Sequence, residues 1–548
     1  MKQLTKTDFI SYQEYLGGCP NNVWIKWHKL EEYKKFPKSE FEQSLGVTGT
    51  EVEEIARLMF PDGYLVKGRG DGAQGLTKKL IAEHHQVIFQ AVFSTDKYLA
   101  ATDVLKWNTE ADAYDLYEIK MSSTTKQEES ENEDDEEDEN GKPKKVNKKK
   151  ELQYEYDLTF QVNVLEMCNV HIHKKYLIQL NKKYKRSGDL DVRLGQLFTD
   201  EDKTESVEKR MVEVKEKMEE AFAYLSKTTM PVGHCSCYYK GRKAHCTTFS
   251  ISNPGLPDYT VHDLNRIGLS KKYLRDLLNE GILEIGKVPE DDRLKPKKVK
   301  EGEKSGKPRK LNQVRVYKSK KEIMDLDAIK AELNSLTFPL YFLDYETYPS
   351  AIPLFDVYHP YQNIVFQYSL HVLTEDDAKK GREPKHYECL LLDGDPAEKI
   401  VESLRKNIGD TGSIISWFKK FENSRNKELA DMVPGQFEFL HGVIKRTYDL
   451  MDIVENQYYV HRGFKGSSSI KKVQDVLAPQ YSYKKLIDVQ NGTDAIEAYR
   501  QILKGELSGK ALEEKKEHML KYCKYDTAVM YEIWKFFYDL VNASKPQK

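Results

Sequence analysis

Apolar and polar positions in the N-terminal half alternate in segments that predict strands, flanked by segments with helical spacing. The alternation over Val87–Phe93, Tyr98–Leu105 and Tyr114–Lys120 predicts three strands, the last two joined by a turn. The apolar spacing of Thr50–Phe60 and Tyr156–Leu165 predicts a helix before and a helix after them. This order of elements predicts a mixed α/β domain.

The C-terminal half again changes between strand and helix periodicity. It opens with the apolar run Tyr341–Leu343, directly after Pro339, which is typical of a buried strand. Phe366–Val372 alternates and predicts a second strand. The remaining predicted elements are strands at Glu388–Leu392 and Ser413–Trp417 and helices at Pro396–Leu404, Phe421–Leu429 and around Tyr522–Thr527. The predicted fold class is therefore α/β in both halves.

Blocks of like charge divide the chain, which at 548 residues is too long for a single core. An acidic block followed by a lysine block cannot bury a core, so residues 124–150 are predicted to be a disordered insertion. A later stretch rich in Lys and Arg predicts a flexible linker. We predict domains over residues 1–250 and 331–548, a helical connector over 251–290 and a basic linker over 291–330.

Acidic side chains of the C-terminal half recur at positions that suit metal binding. Asp344 and Glu346 follow the first strand and point the same way, because residues two apart share a strand face. A divalent cation such as Mg²⁺, which takes oxygen ligands, would relieve their repulsion. Glu422 opens a later helix, and Asp526 lies one turn after Tyr522 on the last helix. This order predicts a two-metal centre in which the four acids bind metal and the Tyr522 hydroxyl positions the attacking water.

Two alternatives accompany this centre. Glu422 stands where the corresponding two-metal pattern usually has Asp, so Asp449 is an alternative ligand. The plainer interpretation of Asp344 and Glu346 is a strand end that carries two solvated acids.

A second candidate centre lies on the predicted strand pair of the N-terminal half. Asp103 and Glu118 are on neighbouring strands and are predicted to share a metal, which would lower the pKa of a bound water. Lys120 lies on the same face as Glu118 and is predicted to orient that water or to hold a phosphate oxygen. Gln161, on the following helix, is a candidate nucleic-acid contact. The alternative is an exposed amphipathic hairpin.

The cysteines suggest a further metal site. Three of the seven fall within a dozen residues, and a fourth lies near the N-terminus. The candidate ligands are Cys19, Cys235, Cys237 and Cys246. Four thiolates suit an iron–sulfur cluster or a tetrahedral Zn²⁺ ion. The neighbouring His234 and His245 are further potential zinc ligands, so zinc is retained as the alternative. Unrelated free thiols are the remaining alternative.

A polar loop in the C-terminal half is a candidate phosphate contact. Gly466–Ser468 leads into Ser469, Lys471 and Lys472 at the predicted start of a helix. Hydroxyls, backbone N–H groups and lysines at a helix start suit a phosphate group, so these three residues are predicted to bind nucleic acid. A plain helix N-cap is the alternative.

Overall charge and segment hydropathy exclude some classes of protein. The net charge is −2, so global charge predicts no partner, and local basic stretches are more informative. The polar N-terminal segment is unlike a signal peptide, and the sequence has no apolar run long enough to span a bilayer. We therefore predict a cytoplasmic protein with no membrane partner, whose odd number of cysteines suits thiols or metal ligands.

Taken together, these motifs resemble the uncharacterised bacterial family DUF2779. The matching segments are Cys19–Pro20, Asp103, Glu118–Lys120, Phe160–Gln161, Cys235–Cys246, Phe342–Thr347, Pro360–Gln362, Phe366–His371, Phe421–Glu422, Gly466–Lys471 and Tyr522–Thr527. The resemblance implies a RecB-like PD-(D/E)XK nuclease domain with a 4Fe–4S cluster, followed by an RNase H-like exonuclease domain of the DEDD type with a catalytic Tyr. An upstream acid common in RecB-like nucleases is replaced here by Gln90, and Glu83 or His84 are the nearest substitutes.

From this we expect a nuclease that depends on Mg²⁺ or Mn²⁺ and acts on DNA more readily than on RNA. The C-terminal centre is expected to be a 3′–5′ exonuclease. One alternative is that one or both centres are inactive and hold nucleic acid without cutting it. Another is a DNA-binding scaffold or a subunit of a defence complex without enzymatic activity.

Overall fold

The chain divides into two compact units, which are described separately. The computed structural model describes residues 2–37, 40–123, 148–294, 307–481, 483, 486 and 488–543. Unit 1 comprises Met1–Tyr238, His245–Gly255 and Ala351–Tyr361, and unit 2 comprises Tyr239–Ala244, Leu256–Ser350 and Gln362–Lys548. Residues 124–147 of the predicted insertion and 295–306 of the predicted linker lie outside the described residues.

Unit 1 combines a seven-stranded sheet with helices. Its strands are β1 (Leu4–Thr5), β2 (Tyr64–Leu65), β3 (Val87–Ser94), β4 (Tyr98–Asn108), β5 (Ala113–Ser123), β6 (Ile172–Leu180) and β7 (Phe198–Asp202). Its helices are α1 (Lys6–Tyr12), α2 (Pro20–His28), α3 (Leu30–Tyr33), α4 (Glu40–Arg57), α5 (Asp71–Ala82), α6 (Lys148–Met167), α7 (Thr204–Glu208), α8 (Met211–Leu225) and α9 (Phe249–Ser252).

The sheet of unit 1 follows the order β2-β3-β4-β5-β6-β7, and β1 pairs with β4. Strands β3, β4 and β5 form an antiparallel meander, whereas β5 and β6 are parallel. Parallel neighbours need a crossover connection, and α6 supplies it. One apolar cluster packs α6, with Phe160 at its centre, against the sheet, and a second cluster packs Val52 and Ala56 of α4 against it. The centre of the meander is thereby covered by helices.

Unit 2 contains a five-stranded sheet and a separate two-stranded sheet. The strands are β8 (Ile323–Met324), β9 (Leu340–Pro349), β10 (Asn363–Leu373), β11 (Lys385–Leu390), β12 (Ser413–Ser416), β13 (Thr447–Asp449) and β14 (Tyr459–Val460). The helices are α10 (Lys271–Asn279), α11 (Arg309–Ser319), α12 (Leu326–Asn334), α13 (Glu375–Lys380), α14 (Ala397–Asn407), α15 (Lys420–Met432), α16 (Phe437–Arg446), α17 (Asp452–Glu455), α18 (Ile470–Leu477), α19 (Gly492–Leu503) and α20 (Gly509–Ala543).

Strand β9 lies at the centre of the larger sheet, whose order is β11-β10-β9-β12-β13. It pairs antiparallel with β10 and parallel with β12. Its side chains alternate between two apolar clusters: Phe342 packs with the residues of α20, whereas Leu343 and Tyr345 pack with those of α14, α15 and α16. This alternation fixes which residues of β9 face α20.

The structure confirms the mixed α/β class. The predicted helix at Thr50–Phe60 belongs to the longer α4, and the predicted strand Glu388–Leu392 is observed as Lys385–Leu390. Part of the predicted basic linker forms α11, because Leu311 and Val314 bury there despite the surrounding charge. Within the described residues, no helix is both long and apolar enough to cross a membrane.

Candidate metal centres

The C-terminal centre starts from the alternation of β9. Asp344 and Glu346 share the strand face of Phe342 and therefore point toward α20. Glu346 is 7% exposed, and Asp344 is half-buried. The sequence-based expectation that the two carboxylates share one face agrees with this geometry. What the strand alone did not predict is how deeply they are covered.

Helix α20 supplies the residues that face these acids. Asp526 is 8% exposed and accepts a hydrogen bond from the hydroxyl of Tyr483. Tyr522, one turn earlier, is 5% exposed, and its hydroxyl also donates toward Asp526, which partly offsets the rise in the pKa of that carboxyl caused by burial. Cys523 lies beside Asp344, with Sγ 3.9 Å from Oδ2. Tyr483 and Cys523 were missed from the sequence, Tyr483 because it belongs to no motif that the sequence analysis recognised.

Glu422 comes from the start of α15, directly after β12. It is 4% exposed, and its Oε2 atom is buried without a hydrogen-bond partner. An unpaired buried carboxylate oxygen is costly unless a cation satisfies it. Asp449, the alternative ligand, is differently engaged: its oxygens accept from the backbone N–H groups of Phe418 and Lys419, both at 2.9 Å. Glu422 therefore has the freer carboxylate of the two.

The four acids repel one another. Burial, together with the negative charges of Asp526, Glu346 and Glu422, raises the pKa of Asp344 well above its usual range. Burial and Asp526 likewise raise the pKa of Glu346. Burial raises the pKa of Glu422 to about 8, with a further contribution from Asp449, and burial raises the pKa of Asp526 to about 6. The site thus holds more negative charge than its own surroundings compensate.

Several of these side chains line an open cleft, and a lysine lies near it. The cleft, of about 330 Å³, is bordered by Asp344, Glu346, Asp526 and Tyr522. Lys471 on α18 is close enough to lower the pKa of both Glu346 and Asp526. Its Nζ donates to the carbonyl of Gln490 at 3.0 Å and lies 5.1 Å from the ring centre of Tyr483.

The other two residues predicted to contact phosphate lie beside Lys471. Ser469 is the N-cap of α18, without a capping hydrogen bond from its side chain, and Lys472 is exposed. Among the residues predicted for this loop, Lys471 is thus the one with an electrostatic effect on the acids.

The compact part of the centre consists of three residues. One ligand atom each from Asp344, Glu346 and Cys523 lie within 4.8 Å of one another, a spacing that suits a shared ion. Glu422 and Asp526 act on this group from outside it through their charge. Carboxylate oxygens are the ligands that Mg²⁺ and Mn²⁺ prefer, so the two carboxylates of this group suit either ion.

The N-terminal centre lies at the β4–β5 ladder. Val104 pairs with Tyr117, and this register sets Asp103 opposite Glu118. The Oδ2 atom of Asp103 accepts from the backbone N–H of Ile119 at 2.8 Å. The structure therefore brings the two predicted acids together.

Four further side chains complete this centre, and two of them, Lys6 and Asp157, were missed from the sequence. The Nζ atoms of Lys6 and Lys120 both lie 2.7 Å from Oε1 of Glu118. Lys120 also donates to Asp157 at 2.5 Å, and Gln161 donates to Oε2 of Glu118 at 2.8 Å. Gln161 is fully buried, so its amide contacts these carboxylates. Asp157 precedes Gln161 by one turn on a buried helix, which was the available sequence signal.

The upstream acid of this centre is Glu53, on α4, and not Glu83 or His84. The register of β3 and β4 sets Gln90 opposite Asp103, and the Gln90 amide donates to Oδ1 of Asp103 at 3.2 Å and to Glu53. Glu83 instead lies 3.9 Å from Lys79 on the surface of α5, and His84 stacks on Trp107. The substitution predicted from sequence proximity was wrong because the acid comes from a helix distant in sequence.

The charges of the N-terminal centre largely compensate one another. Burial alone would raise the pKa of Glu118, but the ammonium groups of Lys120 and Lys6 lower it to about 2. Burial and the charge of Glu118 raise the pKa of Asp103 to about 7. Glu118 and Asp157 thus face two lysines, and a metal is not required for charge balance.

The four predicted cysteines meet in unit 1. The Sγ atoms of Cys19, Cys235, Cys237 and Cys246 all lie within 4.8 Å of one another, and the first three residues are buried. Cys19 is the N-cap of α2. Hydrogen bonds from the other thiols, those of Cys19 and Cys237 foremost, lower the pKa of Cys235. This donor set can hold a metal.

The two neighbouring histidines, His234 and His245, make contacts with residues other than the four cysteines. His234 Nδ1 lies 2.7 Å from Oδ1 of Asn253, whose amide in turn donates to Cys235 Sγ at 3.3 Å. His245 stacks on Phe249, with ring centres 3.6 Å apart. The compact group in the described residues is therefore made of thiols, with His234 supporting it through Asn253.

Comparison with known proteins bears on the C-terminal half. Residues 341–469 match the family model described as "Domain of unknown function (DUF2779)". The chain carries a DUF2779 domain. The matched segment contains Asp344, Glu346 and Glu422, whereas Tyr522 and Asp526 lie beyond it.

Two curated relatives of this chain come from mycoplasmas. The "Uncharacterized protein MG366" of Mycoplasma genitalium is 27% identical over 223 residues, or 38% of this chain and 33% of that protein. Its homologue in Mycoplasma pneumoniae is 26% identical over 244 residues, or 42% of this chain and 36% of that protein. The chain thus spans about a third of the length of the curated relatives that it matches.

Proposed function

We propose that this protein is a metal-dependent nuclease whose C-terminal centre removes nucleotides from the 3′ end of single-stranded nucleic acid, with DNA as the favoured substrate. The observation that carries the proposal is that Asp344, Glu346 and Asp526 line one cleft, with Glu422 close enough for its charge to act on Asp344. Buried acids with raised pKa values, gathered around a cleft, are typical of a functional site. Structural ion pairing does not account for them, because the cations that act on the group, Lys471 and Arg425, do not prevent the pKa values of its acids from rising.

The residues have separate roles in the proposed reaction. A bound divalent ion supplies an activated water and stabilises negative charge at the phosphorus. Asp344 and Glu346 would hold that ion, and the Oε2 atom of Glu422, which has no hydrogen-bond partner, would be free to contact a cation. The Tyr522 hydroxyl borders the cleft beside Asp526, where it can orient a water for in-line attack. Lys471, at the start of α18, neutralises a phosphate oxygen.

For the N-terminal centre we propose a nucleic-acid clamp that does not cut. The supporting observation is that Lys6 and Lys120 already satisfy the Glu118 carboxylate, so that an ion would have to displace an ammonium group. Such a centre fits the alternative in which one half is inactive. A DNA-binding scaffold or a subunit of a defence complex remains the alternative for the whole chain, and it requires that both centres be inactive.

For the cysteines we propose a structural Zn²⁺ ion in place of the 4Fe–4S cluster that the resemblance implied. Tetrahedral Zn–S bonds of about 2.3 Å put the sulfurs about 3.8 Å apart, which agrees with four Sγ atoms within 4.8 Å of one another. A cluster with four irons needs more room between the cysteine sulfurs. Elemental analysis of the purified protein distinguishes zinc from iron.

The test of the exonuclease uses the full chain, Mn²⁺ or Mg²⁺, and single strands of DNA or RNA labelled at the 5′ end. The wild type should produce a ladder of shortened 5′-labelled products, which a phosphorothioate cap at the 3′ end should block. Asp344→Asn should remove this activity, because it deletes a ligand at the centre of the site. Asp410→Asn, an exposed acid of the same unit, is the matched control. Equal degradation by Asp344→Asn and wild type would refute the proposal.

A further inference from the structure

Cys523 stands apart from the other cysteines outside the four-thiol group. Its side chain is fully buried, with Sγ 3.9 Å from Oδ2 of Asp344 and 4.0 Å from the carbonyl oxygen of the same residue. Cys389, by contrast, shares a hydrogen bond with the side chain of Ser403, and Cys168 donates to the carbonyl of Ser94 at 3.6 Å. Of these three thiols, Cys523 is the one that joins two acids in a compact group.

The position of this thiol is held by contacts on both sides of it along α20. The carbonyl of Met519 accepts from Gln367 at 3.0 Å, and the Thr527 hydroxyl lies 2.7 Å from that of Ser369 and 2.8 Å from Nδ1 of His371. These bonds set the rotation of α20 against β10. A one-turn spacing on either side of Cys523 leaves its side chain little freedom to turn away from β9.

A small buried hydrophobe would account for a cysteine in the apolar part of α20, where Phe342 packs against Tyr531 and Trp534. Cys523 lies instead at the level of the acids. A thiol packed against two carboxylates gains little from apolar contact, whereas its sulfur can serve as a metal ligand. The three ligand atoms lie within 4.8 Å, a separation that one ion can span.

We propose that Cys523 is a sulfur ligand in the C-terminal centre, where it joins Asp344 and Glu346 and makes the site prefer thiophilic divalent ions over Mg²⁺. This inference rests on the proposed function for the use of the site as a metal centre. Mg²⁺ demands hard oxygen ligands, while Zn²⁺, Co²⁺ and Cd²⁺ accept mixed sulfur and oxygen sets. The thiol proton leaves to solvent when the ion binds.

The experiment measures metal binding by itself, with Cd²⁺ and Mg²⁺ as the probes. The chelator-treated full chain is titrated by calorimetry, and the ultraviolet band of cadmium–thiolate charge transfer is recorded in parallel. In Cys523→Ser, the Kd of the carboxylate site for Cd²⁺ should rise at least about tenfold, with a smaller charge-transfer band. The Kd for Mg²⁺ should change less than about twofold, because oxygen ligands remain. Binding by the four-thiol group is common to all variants.

Two further variants keep the test decisive. Cys389→Ser, a thiol of the same unit outside the centre, should behave as wild type. Asp344→Asn keeps the thiol but should also lose Cd²⁺ at this site, so the result does not depend on the folding of one variant.

The proposal is overturned if Cys523→Ser and wild type show the same ratio of Cd²⁺ to Mg²⁺ affinity. Its failure is distinct from that of the proposed function. If the wild type degrades DNA and Cys523→Ser has the same metal preference as the wild type, the sulfur ligand is refuted and the nuclease is retained. Loss of the cadmium–thiolate signal in Cys523→Ser, with no DNA degradation by the wild type, would support the sulfur ligand and refute the nuclease.

Discussion

In the N-terminal centre, Glu118 and Asp157 are paired with the ammonium groups of Lys6 and Lys120. In the C-terminal centre, Lys471 acts on Glu346 and Asp526 and Arg425 acts on Glu422, but neither cation prevents the pKa values of the acids from rising. The pKa values follow this difference: that of Glu118 falls to about 2, and those of the C-terminal acids rise. Two sets of carboxylates, each near the end or edge of a sheet, thus have opposite needs. In the N-terminal centre Glu118 and Asp157 are each paired with lysines, whereas the C-terminal acids are only partly compensated by nearby cations.

The difference teaches that a pattern of acids on strands does not itself predict a metal. Each centre has an acid on one strand and a second acid close by, as the sequence suggested. What separates them is the source of positive charge. Lys6 comes from the first turn of α1 and Lys120 from β5 itself, and both reach the same oxygen of Glu118. The C-terminal acids have no comparable pair of lysines among the residues described around the cleft.

The largest expected effect is on cleavage. Asp526→Asn should slow release of nucleotides from 3′ ends by on the order of 10³-fold, since the loss of metal-dependent charge stabilisation is worth several kcal/mol. Asp103→Asn in the other centre should leave the rate within about threefold, because that centre is proposed to hold nucleic acid and not to cut it. Single-turnover assays with excess enzyme measure both rates. A comparable loss in Asp103→Asn would mean that the balanced centre is catalytic as well.

The next effect is on stability in the N-terminal centre. Glu118→Gln should lower the free energy of unfolding by about 3 kcal/mol, because two ammonium groups would lose their shared carboxylate. Urea denaturation of the full chain, followed by circular dichroism, measures the change. Glu205→Gln, which removes one partner of an exposed pair with Lys209, is the matched control and should have little effect. If the two variants unfold alike, the pairing with Lys6 and Lys120 contributes no stability.

The smallest effect is a dependence of stability on pH in the metal-free protein. The folded pKa values of Glu422 and Asp526, about 8 and about 6, exceed the ordinary values of 4.5 and 3.8, so the folded state binds more protons in between. Stability should therefore fall as pH rises from about 4 to about 8. The raised pKa of Asp103 likewise makes stability fall as pH rises to about 7. Glu118, whose pKa is lowered, instead adds stability that is lost as pH falls toward 2.

Thermal unfolding in the presence of a chelator, at a series of pH values, measures this slope. Glu422→Gln should flatten it near pH 8, because that group no longer titrates. Addition of Mn²⁺ should also flatten it, since a bound ion replaces the protons. A slope that is unchanged in both cases would mean that Glu422 is not part of the charge cluster.

The sequence predicted several of the side chains that meet in each centre, but not the contacts that more distant elements make with them. Alternation on β9 was sufficient to set Asp344 and Glu346 on one face, and the one-turn spacing of Tyr522 and Asp526 was sufficient to set them on another. The cysteines were found because three of them are close in sequence. Lys6 and Glu53 were not predicted, because each reaches its centre through the tertiary packing of a helix, which leaves no motif in the local sequence.

Cys523 and Asp157 show a middle case. Each lies within a motif already recognised, next to Tyr522 or one turn before Gln161, yet a helical position alone does not reveal which way a side chain turns in the packed protein. The rotation of α20 depends on hydrogen bonds to β10 at Met519 and Thr527. Such contacts arise between segments more than a hundred residues apart, as the separation of Ser369 and Thr527 by 158 positions illustrates.

By itself, therefore, the sequence determined the mixed α/β class, the strands and helices that carry the acids, and the type of ligand available at each centre, because these follow from local periodicity and side-chain chemistry. Only the tertiary structure decided which carboxylates are neutralised by lysines and which remain without compensation. The physical reason is that charge balance in a buried site depends on every group within a few ångströms, and folding brings those groups together from distant parts of the chain.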